Sequence, residues 1–214
     1  MPRVKYYTKD GELVPGVTTI TSVLGKGEGL IYWAWNLGMQ GIDFRKHRDN
    51  LADVGSLAHD MILCHLKKAT PNTDKYSKDT IVTAGICFDK FIDWSAHHTL
   101  EPIIIEPEKG IVSEKYRYGG CPDYYGKIDG KLVLLDFKTA KSIYDDVYYQ
   151  LAGYMLILEE LGHKVEECQI LRIGRSEDEG FESKGKADLT YEKQIFLASL
   201  DIYKAKRELK KKAR

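Results

Sequence analysis

The sequence predicts a mixed α/β fold in a single domain over residues 1–214, and three observations predict it. The chain has 214 residues, enough for one sizeable core and too few for two comfortable ones. Apolar residues recur at helical spacing through residues 53–68 and 80–98, and the pattern switches to short β-rich runs from Pro102. Beyond a hairpin signal at Asp129-Gly130, helix, strand and helix patterns follow in turn. The expected partition is a hairpin and helical part over 1–100, a sheet with its helix over 101–175, and a closing helix over 190–214.

Taken in order, Lys5-Tyr6-Tyr7 and Glu12-Leu13-Val14 flank Asp10-Gly11, a hairpin signal. Pro15-Gly16 breaks the chain. The run 17–24 is rich in β-branched residues, which favour strand, while Thr18 or Thr19 equally suits the cap of a short helix. Residues 25–29 read as loop and 30–39 as a helix. In 53–68, Leu57, Met61 and Cys64 or His65 share a helical face. In 80–98, Ile81, Ala84, Phe88, Phe91 and Ile92 do so. Ile103-Ile104-Ile105 opens a strand region running past Gly110 to Tyr118. Residues 124–128 and 131–138 pair across Asp129-Gly130. Residues 145–161 form a helix stopped by Gly162, and 167–173 a strand. A polar loop over 174–186 holds at most a short strand at Phe181. Residues 191–212 form the last helix.

Formal net charge is zero, with 32 basic and 32 acidic residues, so the overall basic excess common in nucleic-acid binders is missing. Charge is instead local. Lys204, Lys206, Arg207, Lys210, Lys211, Lys212 and Arg214 face the single acid Glu208. Such a run suits the negative pole of a helix C-terminus and equally suits phosphate, which makes Lys204, Arg207 and Lys211 candidate DNA contacts. The four cysteines are scattered without a CxxC pair, which argues against a zinc ribbon or an iron–sulfur cluster. No apolar run approaches the roughly 20 residues that cross a bilayer, and residues 1–7 carry no apolar leader. The expectation is a soluble, cytoplasmic protein without a membrane partner.

The informative stretch is Gly120-Cys121-Pro122-Asp123, followed by Leu132-Val133-Leu134-Leu135-Asp136-Phe137-Lys138-Thr139. Side chains two apart on a strand share a face, so Asp136 and Lys138 project together while Leu135 and Phe137 enter the opposite layer. The hairpin brings Asp123 alongside. Two carboxylates beside an ammonium suit metal-assisted phosphodiester hydrolysis, because a hard cation prefers oxygen ligands and a lysine can steady the developing charge. The D/E-x-K pattern occurs four times, at Asp129, Asp136, Glu182 and Glu208, and only the second closes an apolar run. A structural Asp–Lys ion pair accounts for the same two residues. Gln150 and Tyr154 lie one helical turn apart and read equally as an interfacial polar pair. His59, one turn after Gly55, reads alone as a structural histidine. Trp33, with Tyr32 and Trp35, suits either base stacking or an aromatic anchor for its helix.

Taken together, Pro15-Gly16-Val17-Thr18-Thr19-Ile20, Gly55-x-x-x-His59, Gly120-x-Pro122-Asp123, Asp136-Phe137-Lys138-Thr139 and Gln150-x-x-x-Tyr154 resemble, in order, the motifs of the PD-(D/E)XK nuclease superfamily. The likeness is to its RecB-like exonuclease branch, which includes phage-type and mitochondrial genome-maintenance exonucleases. It implies an αβββαβ core with a mixed central sheet flanked by helices, and a Mg2+-dependent deoxyribonuclease in which Mn2+ substitutes. It also implies metal ligation by Asp123, Asp136 and the Phe137 carbonyl, with Lys138 as the catalytic lysine. Gln150 would orient water or substrate, and Tyr154 would touch the backbone. His59 becomes a metal ligand or metal neighbour, and Glu106 a further acid of the site, with Glu108 and Glu114 as competitors. DNA, single-stranded or with free ends, is the implied partner, with a recombination or replication protein beside it in a bacterial or phage-infected cell. The cluster-binding cysteines of some relatives are missing, so no iron–sulfur cluster is expected. Two other readings stay open: a structure-selective endonuclease with the same site, and a catalytically silent DNA-binding protein.

Overall fold

The computed structural model describes residues 4–25 and 27–213, so Arg214 of the basic run lies outside the described residues. Strands β1 (Tyr6–Tyr7) and β2 (Leu13–Val14) pair antiparallel about the Asp10-Gly11 turn. The Arg117 guanidinium clamps this hairpin, donating to Asp10 at 2.8 and 2.9 Å and to Glu12 at 3.0 Å. Helix α1 (Val17–Thr21) follows and tightens into a 3-10 turn over Ser22–Leu24. Helix prevails over strand here because Gly16 takes the N-cap in extended conformation, while Val17 and Ile20, three apart, bury one face. Neither Thr18 nor Thr19 caps it.

Helices α2 (Glu28–Met39), α3 (Phe44–Lys67) and α4 (Lys78–Ser95) come next. Apolar spacing places the start of α3 at residue 53, whereas it begins at Phe44. The cause is a cap rather than a core. Asp43 accepts from the amides of Arg45 (2.8 Å) and Lys46 (3.2 Å), starting a polar stretch without an apolar period. Ser77 caps α4 in the same way through the Thr80 amide, at 3.1 Å.

The strand region expected from Ile103 to Tyr118 is broken into parts. Strand β3 (Leu100–Ile105) joins the main sheet, whereas β4 (Ile111–Ser113) and β5 (Tyr118–Gly120) form a separate ribbon. Positive φ at Glu106 (31°) and Gly110 (67°) turns the chain between them. Strands β6 (Tyr124–Ile128) and β7 (Lys131–Lys138) then form the hairpin about Asp129-Gly130. Helix α5 (Asp146–Glu160) crosses to β8 (Glu167–Ile173), which lies parallel to β7. Strand β9 (Phe181–Lys186) adds a full antiparallel edge where the sequence suggests a loop, and α6 (Thr190–Lys212) closes the chain.

The fold is mixed α/β. Its five-stranded sheet runs β3-β6-β7-β8-β9, and the succession α4, β3, β6, β7, α5, β8 is the expected αβββαβ order. Strand alternation divides the core. Tyr125, Leu134, Cys168 and Ile170 pack with α1, α5 and α6 on one face. Val133, Leu135, Phe137, Leu171 and Ile173 pack with α3 and α4 on the other. Strand β7 is thereby buried from both sides, which explains its nearly unbroken apolar run.

Candidate active site

Strand β7 outruns its neighbour β6. The last registered pair is Tyr124 with Leu135, so residues 136–138 extend past the β6 ladder. Asp123, just before β6, fills the corner: the Phe137 amide donates to Asp123 Oδ2 at 2.9 Å in place of a strand partner. In an antiparallel pair one residue directs its N–H and C=O to the same neighbour, so the Phe137 carbonyl faces this corner too.

Asp136 shares a face with Leu134 and Lys138 and is 1% exposed. Lys138 Nζ lies 2.5 Å from Asp136 Oδ2, so the ion pair of the structural reading exists. It does not satisfy the carboxylate. Among the described residues, neither Asp136 oxygen accepts a hydrogen bond of sound geometry, a costly state for a buried acid. Burial raises its pKa to about 6, against the pull of Lys138 and with the push of the Asp123 charge.

Asp123 behaves in the opposite sense. Burial disfavours its charge, but the His59 charge and hydrogen bond, together with Lys138, hold its carboxyl below the usual range. His59 Nε2 donates to Asp123 Oδ2 at 2.9 Å, and its ring packs edge-on against Phe137. Burial opposes protonation of His59, yet the Asp123 and Asp136 charges prevail and its pKa rises. For Lys138, burial likewise opposes the charge, and the same two carboxylates outweigh it and keep the ammonium.

The spacing of Gly55 and His59 now has a physical reason. A Cβ on Gly55 would stand 2.8 Å from Thr139 Oγ1, so glycine lets α3 settle on the end of β7 without displacing the Thr139 side chain. One turn later, His59 reaches Asp123. Between helix and strand lies a cleft of about 380 Å³, lined by Ala52, Gly55, Ser56, His59, Lys138 and Thr139 among others.

From the other face, α5 delivers Gln150 and Tyr154. Gln150 Nε2 donates to Tyr154 Oη at 2.9 Å, which leaves the phenol proton free for a further acceptor. Burial first, then the Asp123 and Asp136 charges, push the Tyr154 pKa well above its ordinary value. A Cβ on Gly120 would collide with the Tyr154 ring, so the glycine before Pro122-Asp123 makes room for the tyrosine. Gly16 bridges to Gly119, and the Pro15 carbonyl accepts from the Gly119 amide at 2.9 Å. All five sequence motifs thus meet around one corner of the sheet.

Other candidate residues lie elsewhere or are otherwise engaged. Glu106 is held by Lys67, whose Nζ lies 3.2 Å from its carboxylate. Trp33 packs edge-on against Phe44, 5.1 Å between ring centroids, and beside His47, while Tyr32 and Trp35 are exposed. Lys204, Arg207 and Lys211 lie on the exposed C-terminal half of α6, and Lys211 is paired with Glu208. Sequence reasoning missed Arg175, whose guanidinium donates to the Thr139 carbonyl and braces the backbone after Lys138. It also missed Arg172, in register with Lys138 on β8. The pairing of β7 with β8 reveals Arg172, and the hydrogen bond from beyond the end of β8 to Thr139 reveals Arg175.

Among the described residues, no three His, Cys, Asp or Glu side chains converge closely enough to hold an ion on their own. The corner nevertheless fits magnesium, which typically takes one or two carboxylates and fills its remaining positions with water and substrate phosphate. Asp136, buried with unmet lone pairs, is the group such a cation would satisfy.

No protein-family model matches the chain, and no curated protein matches it by sequence. Among solved structures, one similar to it is LHK-Exo in complex with dAMP, with 13% identity over 77% of this chain and 90% of that one, at a TM-score of 0.41. Another is the alkaline exonuclease LHK-Exo from Laribacter hongkongensis, with 14% identity over 75% and 91%, at a TM-score of 0.35. SSO0001 shares 16% identity over 56% of this chain and 55% of its own, at a TM-score of 0.31. The likeness is remote and assigns no residue a role.

Proposed function

We propose that the chain is a metal-dependent deoxyribonuclease, acting as an exonuclease in DNA recombination, replication or repair. The observation that carries this reading is Asp136, a buried carboxylate whose close contact among the described residues is the Lys138 ammonium and which keeps lone pairs to spare, set beside Asp123 where β7 outruns β6. Asp123, Asp136 and the Phe137 carbonyl would hold Mg2+, or Mn2+ in its place. The cation supplies Lewis acidity toward the phosphate and a lowered pKa for water bound to it.

The chain's own groups do the rest. Lys138 keeps its proton beside two carboxylates, so it orients the attacking water and offsets charge on the phosphoryl oxygens rather than acting as a base. His59 fixes the Asp123 carboxylate by occupying Oδ2 together with the Phe137 amide, which leaves Oδ1 for a ligand. Tyr154 stays a phenol and can donate to a phosphate oxygen, oriented by Gln150.

The test is digestion of an end-labelled linear duplex, a single strand and a closed circle with magnesium, with manganese and with EDTA, beside Lys138→Ala. The expected result is metal-dependent loss of the substrates with ends only, reduced at least 100-fold by the substitution. Cutting of the circle would make it an endonuclease. No cleavage with either metal would overturn the reading in favour of a DNA-binding protein.

A further inference from the structure

We propose that Arg172 forms a second phosphate position beside the reactive one, holding a neighbouring phosphate of the same DNA strand. This rests on the nuclease reading for the identity of its ligand. Arg172 of β8 is registered with Lys138 of β7 on adjacent parallel strands. Ile170, two residues before it, faces α5 and α6 with Leu134, so alternation puts Arg172 on the face of Asp136 and Lys138. One strand spacing, about 4.8 Å, separates the two backbones. Successive phosphates of one strand lie further apart than their axial rise of about 3.4 Å, a separation that two long cationic side chains rooted on adjacent strands can span.

The chemistry of Arg172 is unfinished. Its side chain is 11% exposed, and its single ionic contact among the described residues is Nε to Glu182 Oε2 at 3.4 Å. Nε is buried without a hydrogen-bond partner. A guanidinium cannot shed its charge, so burying one of its donors without a partner is costly, and its terminal nitrogens, which are not among the buried unpartnered atoms, remain to meet the acceptors of a ligand. Arg117 in the same molecule shows what a structural arginine looks like, with hydrogen bonds of ordinary length to both Asp10 oxygens and to Glu12. The carboxylates around Arg172 are poorly placed to finish the job. Glu182 is more than half exposed, and Glu179 is taken by the Arg175 amide at 2.8 Å. A phosphate accepts from a guanidinium fork with two oxygens at once.

The experiment measures binding of a fluorescein-labelled single-stranded oligonucleotide to the full chain in EDTA over a range of salt, together with kcat and KM in magnesium. Arg172→Gln is expected to weaken binding about ten-fold and to flatten the plot of log affinity against log salt by about 0.7, the share of one phosphate. KM should rise about ten-fold with kcat nearly unchanged. Arg172→Lys should keep the salt slope and lose part of the affinity, which covers the case of a Gln variant that does not fold. Glu182→Gln should bind DNA as well as the parent or better. If the Arg172 variants bind with unchanged affinity and slope, or if Glu182→Gln weakens binding as much as Arg172→Gln, Arg172 is only half of an ion pair and the proposal falls. A parent that cleaves nothing yet loses slope with Arg172→Gln would overturn the nuclease reading and leave the phosphate position standing.

Discussion

Asp136 sets the behaviour of the site without a ligand. Its carboxyl titrates near 6 in the fold against an ordinary 3.8, so the folded state binds the proton more tightly than the unfolded chain. The stability it contributes is therefore full below about pH 4 and is lost as pH rises through 6. His59, raised by the same pair of carboxylates, acts in the same direction. In EDTA, Tm should fall between pH 4 and 7, with Asp136 accounting for up to about 3 kcal/mol at about 1.36 kcal/mol per pH unit. Asp136→Asn should flatten that fall. Magnesium above pH 6 should raise Tm for the parent and leave the Asn variant unmoved. Thermal melts over pH, with and without the ion, decide it, and a parent Tm indifferent to pH and metal would count against the site.

Among elements, close approaches separate stability from activity. Ala is favoured over Gly inside a helix by about 1 kcal/mol, a gain offset by the close approach of the new Cβ to Thr139, so Gly55→Ala should leave Tm nearly unchanged. It should still lower kcat at least ten-fold by lifting α3 from Thr139 and moving His59 off Asp123. Thr139→Ala in the same chain should restore part of the loss, a coupling read by a double-mutant cycle. Gly153 gives the contrasting case. A Cβ there would stand 2.6 Å from the buried Phe196 ring, so Gly153→Ala should cost about 1–3 kcal/mol from overpacking between α5 and α6. Denaturant melts of both variants distinguish the two effects.

The same scale shows what was legible in the sequence. Strands β6, β7 and β8 lie where their patterns place them, because burial on both faces and the Asp129-Gly130 turn leave few alternatives. Asp136 and Lys138 were legible as a pair because strand alternation is strict. The start of α3 was not, since one cap and a run of charges carry no period. Strand β9 was not either: every residue in it is exposed, so its strand character comes from pairing with β8 alone. Arg172 and Arg175 were hidden for a related reason. Arg172 meets Lys138 only through the register of β8 on β7, and Arg175 meets Thr139 only past the end of β8, long-range relations that no local pattern records.

For the whole molecule, a formal charge of zero provides no general attraction for DNA, so affinity must come from local cations and be sensitive to salt. The C-terminal half of α6 is the largest such group described. Reversing Lys204 and Arg207 to Glu together should weaken oligonucleotide binding and reduce its salt slope with kcat unchanged, as anisotropy and steady-state assays would show. An unchanged slope would mark those residues as helix-end cations only. The two margins of the main sheet have a consequence for handling the protein. Strand β3 carries Pro102 and a register shift, and β9 presents Glu182, Lys184 and Lys186 to solvent along its length. Neither margin offers a flat, unbroken apolar ladder to another chain, so concentrated solutions of the folded protein should resist edge-to-edge growth of cross-β aggregates.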